Sequence, residues 1–380
     1  MEQALLAGLS GLVQGLARLT PGHVLMLAIG GLLLYLGIRR GLEPLLLVPI
    51  GFGAILVNIP GGALMAEGGV LRTIYDAGII TELFPVLIFL GIGAMTDFGP
   101  LFHNPRLLLF GAAGQFGIFL TLLLAIAIGF PIRDAVSIAV IGAMDGPTAI
   151  FVASNYAPHL LAAVSVAAYS YMALVPLVQP PIMRLLTTSA ERTVVMPPPP
   201  ALAVSRTARI LFPILVTIVG GILAPQGIAL LGTLMLGNLL REAGVVERLR
   251  GAAQNEIANV VTLLLGLAIG ATMQAGTFLR VETLVVFALG LVAIVLDTVV
   301  GVLFGKAAYV LSHGKVNPLI GAAGISAYPM AARVVQAAGQ RYNRKNYLLM
   351  HAMAANTGGQ LGSIMAAAVM LATLAGLGII

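Results

Sequence analysis

The stretch SIAVIGAMDGPTAIFVAS, residues 137–154, decides what kind of protein this is. It is apolar and rich in small residues, yet Asp145 stands near its centre, followed at once by Gly146 and Pro147. No other Asp, Glu, Lys or Arg occurs between Asp134 and Arg184. Proline lacks an N–H and clashes with the preceding turn, so a helix meeting Pro147 breaks and frees carbonyls about one turn earlier. A lone carboxylate deep in a bilayer costs roughly 2.5–3.5 kcal/mol on insertion scales unless something coordinates it. Beside freed carbonyls and the Thr148 hydroxyl it makes an oxygen-rich, negative site suited to a hard monovalent cation. The plainer reading is a kinked helix whose second half is capped by Asp145. Ser or Asn would cap at lower cost, which favours the ion site.

Composition supplies the membrane setting. Only 9% of the 380 residues are charged, while 59% are apolar and the mean hydropathy is +1.04. Soluble domains carry about 25% charged residues, so a soluble enzyme is excluded, and a disordered chain with it. The net charge of +6 is spread between apolar runs, unlike the clustered basic face of a nucleic-acid binder. The absence of Cys removes disulfides, thiolate metal sites and thiol catalysis. The fold class expected is an all-α polytopic integral membrane protein. At about 20 residues per span, its apolar runs give about ten to twelve membrane elements and leave no soluble domain.

Residues 1–22 read as an interfacial N-terminal segment without the basic start of a signal peptide. A first membrane unit then covers 23–185, a linker 186–207, and a second membrane unit 208–380. The linker holds four consecutive prolines, Pro197 to Pro200, and is flanked by Arg192, Arg206 and Arg209. Prolines in series cannot continue a helix, and the arginines place this loop in the cytoplasm. The basic loops at Arg39–Arg40 and Arg341–Lys345 lean the same way.

The two units share features in one order. GIGAMTDFGPLF (91–102) resembles AIGATMQAGTFL (268–279), and IGAMDGPTAIFVA (141–153) resembles IGAAGISAYPMAA (320–332). Met172 and Gln179 then fall over Met353 and Gln360. Collinear matches suggest two repeats, each with an interrupted helix, as in many secondary transporters whose site lies between the breaks. An inverted arrangement is expected, although crossings counted from sequence do not fix it. The second break offers Asn317, Ser326 and, further on, Asn356, but no acid. Asp97 reads as a turn residue at a boundary, and Asp297 as a helix–helix polar contact. Arg333 is by position a snorkelling residue, or a carboxylate holder near a cytoplasmic vestibule.

Several blocks are similar to one family. GIGAMTDFGPL (91–101), GAAGQFGIF (111–119), DGPTAI (145–150), AAYSYMALVPLVQPPIMRLLTT (167–188), LGNLLREAGVVERL (236–249), NPLIGAAGISAYPMAARV (317–334) and NYLLMHAMAAN (346–356) resemble the β subunit of sodium-pumping, biotin-dependent decarboxylases. Members act in complexes on oxaloacetate, methylmalonyl-CoA, glutaconyl-CoA or malonate. The resemblance implies a carboxyltransferase subunit that loads biotin and a biotin-carrier domain that presents carboxybiotin. It also implies a small single-span membrane subunit, a homo-oligomer in membrane lipid, and a bacterial or archaeal cytoplasmic membrane.

The resemblance implies site residues as well. Asp145, Asn317, Ser326 and Asn356 would hold sodium, and Asp145 would take part in coupling. Tyr171 would be the proton donor or ligand partner, and Arg333 the carboxybiotin contact. The chain departs from the family pattern at Ala143–Met144, and at Ala354–Ala355 and Thr357–Gln360 around Asn356, positions that bear on cation selectivity. No G-x-x-x-x-G-K-[ST] occurs, so ATP is not the energy source here. The competing expectation is a stand-alone sodium- or proton-coupled carboxylate carrier, which needs no partner subunits.

Overall fold

A computed structural model describes residues 15, 17–197 and 204–380. Most of the expected N-terminal segment, and Pro198–Pro200 of the linker, lie outside the described residues. Every regular element among the described residues is helical. Among the described residues seven helices are long and apolar enough to cross a membrane, and the pair Val70–Ile80 and Leu83–Met95, bent by 63°, makes an eighth candidate. The rest of the ten to twelve elements expected are short or broken, such as Pro44–Val57.

The first half runs through α1 (Pro21–Arg40), α2 (Pro44–Val57) and α3 (Val70–Tyr75), which passes into a π-helical turn at Asp76–Ile80. It continues with α4 (Leu83–Met95), α5 (Leu108–Ala113), α6 (Phe116–Ile128), α7 (Ile132–Ala139), α8 (Gly146–Tyr156) and α9 (Leu161–Leu186). The second half holds α10 (Arg206–Leu223), α11 (Ile228–Ala243) and α12 (Glu247–Ala252), again followed by a π-helical turn, Ala253–Ile257. Then come α13 (Ala258–Thr272), α14 (Val281–Leu311), a 3-10 segment Pro318–Gly324, α15 (Met330–Tyr342) and α16 (Leu349–Gly376).

Local chemistry sets many of these ends. Thr20 caps α1 in a capping box with His23, and Gly41, in the left-handed region, closes it after Arg39 and Arg40. In the middle of the molecule helices cross at backbone distance, which only glycine permits. A Cβ on Gly93 would overlap the Leu234 carbonyl where α4 meets α11, and one on Gly270 the Ile50 carbonyl where α13 meets α2. Outward faces carry the large apolar side chains expected against lipid, among them Ile38, Leu123, Leu177, Ile222 and Leu284.

Two ends of the bundle can be told apart. At the linker end, Arg241 Nη1 donates to the Met95 carbonyl (3.0 Å), Arg206 Nη2 to Ala243 (2.6 Å) and Lys306 Nζ to Leu186 (3.0 Å). So α4, α9, α11 and α14 all finish there. At the far end, Asn58 Nδ2 donates to the Met273 carbonyl (2.7 Å) and Asn155 Nδ2 to Glu82 Oε1 (2.5 Å). There α2, α8 and α13 finish and α4 begins. Part of the linker is not extended: Ser189–Arg192 forms one helical turn, capped by Thr188 and Glu191.

The two breaks form the centre. From the far end, α7 runs inward, tightens into a 3-10 turn at Val140–Ala143, turns at Met144 (φ 52°), and returns outward as α8. From the linker end, Pro318–Gly324 runs inward and α15 returns. The two hairpin tips, Asp145 and Ser326, meet inside the bundle.

Candidate functional site

Asp145 is 2% exposed and occupies the N-cap position of α8, but the donors on its Oδ2 are side chains. Thr148 Oγ1 and Ser363 Oγ each stand 2.9 Å away, and Ser326 Oγ and Gln360 Nε2 stand 3.4 Å away. Ser363 Oγ is also 3.1 Å from Ser326 Oγ. Both hairpins and α16 therefore converge on one carboxylate oxygen. Hydroxyls donate or accept by rotation, so the three that now contact Asp145 Oδ2 can turn their lone pairs to a cation. All these oxygens are hard, as sodium prefers, and no group of three or more His, Cys, Asp or Glu occurs among the described residues.

The cluster is reached from the linker end through a cavity of about 590 Å³. Asp145, Ser326 and Gln360 line its depth, and Asp97, Tyr328 and Arg333 its mouth. Asp97 marks the linker end, because its Oδ2 lies 3.2 Å from Arg241 Nη2. Its Oδ1 accepts from Gly99 N (2.8 Å), so it is a turn residue that starts the helix Gly99–His103. Arg333, exposed at the start of α15, has neither an ion pair nor a side-chain hydrogen bond among the described residues. A free guanidinium at the rim of an apolar-walled cavity is a ready bidentate holder for a carboxylate.

Three expected site residues, Tyr171, Asn317 and Asn356, make no hydrogen bond to Asp145. Tyr171 lies outside this cavity; its hydroxyl donates to the Phe287 carbonyl on α14, and its ring lies against Gly290. Two tyrosines line the cavity: Tyr328 at the mouth, and Tyr169, 2% exposed, whose hydroxyl has no hydrogen-bond partner among the described residues. Its ring lies so close to Gly146, next to Asp145, that a Cβ there would overlap it. Residues two apart on a helix point about 200° apart, so only one of the pair can face Asp145. Asn317 also stands away from the cluster. Its Oδ1 accepts from Leu319 N (3.0 Å), and its Nδ2 donates to Arg192 O (3.1 Å) and Val194 O (2.8 Å) of the linker. It caps the second hairpin and ties the linker to it.

Asn356, fully buried, donates from Nδ2 to Ile325 O (2.7 Å), and its Oδ1 has no partner. Gln115 donates to Gly324 O (3.2 Å) and Gln179 to Ala322 O (2.7 Å), each leaving its own oxygen unpartnered. These three amides hold the carbonyls of the interrupted segment that ends in Ser326. Asp297, fully buried, accepts from Gly117 N at the start of α6 through Oδ1 (2.6 Å). Its Oδ2 is unpartnered and faces Gly142, just ahead of Asp145. Ser363, Tyr169, Gln115 and Gln179 were not singled out as site residues from sequence. The only hint was the matching of Gln179 with Gln360 across the two halves.

Comparison with known proteins shows the family. The model of the family described as Na+-transporting oxaloacetate decarboxylase beta subunit matches residues 22–374. The chain is 49% identical over 375 residues to the glutaconyl-CoA decarboxylase subunit beta of Acidaminococcus fermentans, covering 98% of this chain and 99% of that one. It is 51% identical over 360 residues to the methylmalonyl-CoA decarboxylase subunit beta of Veillonella parvula, covering 95% of each. The oxaloacetate decarboxylase beta chain of Klebsiella pneumoniae is 43% identical over 426 residues, covering 96% of this chain and 98% of its own length. The chain belongs to the family of Na+-transporting oxaloacetate decarboxylase beta subunits.

Proposed function

We propose that this chain is the membrane subunit of a biotin-dependent decarboxylase that exports sodium. The observation that carries the proposal is one cavity with the free Arg333 guanidinium at its mouth and the hydroxyl-ringed Asp145 at its depth. A partner carrier domain, loaded by a carboxyltransferase subunit, would present carboxybiotin at the linker end. The basic loops there favour the cytoplasmic side of a bacterial or archaeal membrane. Arg333 would hold the carboxylate. Loss of CO2 leaves a nitrogen anion on biotin, which takes one proton to become N–H, so each turnover consumes a proton. Tyr169, which lines the cavity against Gly146, would be the group to relay it.

Sodium is the cargo. Asp145 would bind it with Thr148, Ser326, Ser363 and the Gln360 carbonyl oxygen, and a proton arriving at Asp145 would compete with the cation and release it outward. Moving one cation against 100 mV costs roughly 2.3 kcal/mol, so the decarboxylation must supply several kcal/mol per turnover. Asn317 and Asn356 take positioning roles, setting the carbonyl segment between them. A small single-span subunit and a homo-oligomer complete the assembly. The opposite courses of corresponding helices, α2 against α11 and α4 against α13, support two inverted repeats.

Arg333→Gln tests the first half of the proposal. Sodium-dependent decarboxylation of free carboxybiotin should weaken mainly through KM, by about 100-fold for a lost charge-assisted pair of ~2.7 kcal/mol, with sodium affinity unchanged. An unchanged KM would contradict a carboxylate-holding Arg333. Co-purification with a biotinylated protein separates this reading from a stand-alone carboxylate carrier.

A further inference from the structure

At the linker end α9 and α15 part around a second cavity of about 1100 Å³, lined by a different set of residues from the one that reaches Asp145. Three guanidiniums line it: Arg184 in the last turn of α9, Arg192 on the linker helix and Arg341 in the last turn of α15. The rest of the lining is largely apolar, with Pro176, Pro180 and Pro181 from α9 and Val334 and Ala338 from α15. No acid lines the cavity, and none of the three arginines forms an ion pair among the described residues. Glu191, next in sequence to Arg192, turns away to Lys306 (3.6 Å) and to Thr188 N (2.6 Å).

Arg192 is held in place. Its guanidinium stacks on the Tyr342 ring at 4.5 Å, and Nη1 donates to Arg184 O (2.8 Å) and Thr187 O (2.7 Å). Its Nε is buried and donates to no group among the described residues. Three uncompensated charges beside an apolar lining fit an anion joined to an apolar body. Arginine forks match phosphate geometry, and basic pockets between membrane helices on the cytoplasmic side suit anionic headgroups. On α9, Leu177 and Leu185 are 64% and 85% exposed, giving acyl chains a surface beside the pocket.

We propose that this cavity holds the phosphate-bearing headgroup of an anionic phospholipid, with its chains along α9. Free phosphate would satisfy the charges but leave the proline wall unmatched. The bound headgroup acts as a brace. The Arg192 carbonyl accepts from Asn317 Nδ2 (3.1 Å) and Asn346 Nδ2 (3.3 Å), so pinning the Arg192 turn steadies the start of the second hairpin. The site is independent of the decarboxylase reading, because none of its residues touches the Asp145 cavity.

The test uses the full chain, purified in neutral detergent and offered equal phosphatidylglycerol and phosphatidylcholine, with retained lipid counted by native mass spectrometry. The wild type should retain the anionic lipid about tenfold over the neutral one, and millimolar inorganic phosphate should not displace it. Arg184→Gln with Arg341→Gln should abolish the preference, and Arg184→Lys with Arg341→Lys should keep most of it; Arg192 stays intact to preserve the linker turn. Equal retention of both lipids by the wild type, which needs no variant, would overturn the proposal. So would displacement by inorganic phosphate alone, or an unchanged preference in a folded Gln double variant. A double variant that loses binding of an acidic protein partner while keeping the lipid preference would overturn it in favour of protein docking.

Discussion

Asp145 concentrates its contacts on one oxygen, and that asymmetry assigns separate tasks to its neighbours. Ser363 and Thr148, at 2.9 Å, are the shortest. A hydrogen bond to a charged group contributes about 1.5–3 kcal/mol, so Ser363→Ala should raise the sodium concentration for half-maximal decarboxylation by about tenfold or more. A sodium titration of carboxybiotin decarboxylation checks this; an unchanged midpoint would remove Ser363 from the ion site. Tyr169→Phe deletes a buried hydroxyl that has no other partner, so it should slow turnover with little effect on thermal stability. Tyr171→Phe removes a bond to the Phe287 carbonyl and should act chiefly on the melting temperature. Equal kinetic losses without a stability difference would count against Tyr169 as the relay. Asp145 was legible in the sequence because charges are scarce and Gly-Pro follows it. Ser363 was not, because nothing local marks a serine 218 residues away as the partner of an aspartate. The choice between Tyr169 and Tyr171 turns on helix phase, which apolar flanks on every side leave undefined.

At the scale of elements, the two hairpins have their tips fixed by different chemistry. The first is buried in small-residue packing, with Asp297 holding the start of α6 beside it. The second is held by amides: Gln115, Gln179 and Asn356 from other elements on its carbonyls, and its own Asn317 at its entrance. This separates holding a segment from ligating an ion. Asn317→Ala leaves Leu319 N–H and two linker carbonyls without that partner, a loss of about 1–3 kcal/mol of local stability. Amide exchange over residues 318–324 should quicken, while the sodium midpoint shifts less than in Ser363→Ala. The reverse ordering would restore Asn317 as a direct ligand. The breaks were readable from Gly and Pro. Their form as hairpins entering from opposite ends was not, because apolar runs do not report where a chain turns back.

Across the whole molecule, low charge and abundant glycine serve one end. Glycine crossings at Gly93 and Gly270 draw helices to backbone contact, which leaves the polar atoms of the breaks facing each other inside a body otherwise matched to lipid. Arg333 and Asp145, the proposed carboxylate holder and ion site, line one cavity opening at the linker end, so a reaction at the mouth and a cation at the depth can be linked without moving substrate across the membrane. Asp145 is the point where the two meet. The most direct measurement is sodium uptake into vesicles containing the whole complex oriented for inward pumping, recorded together with decarboxylation, for wild type and Asp145→Asn. The account predicts that the variant still binds the carrier but loses both sodium transport and sodium-stimulated decarboxylation. Full coupled pumping by Asp145→Asn would contradict it.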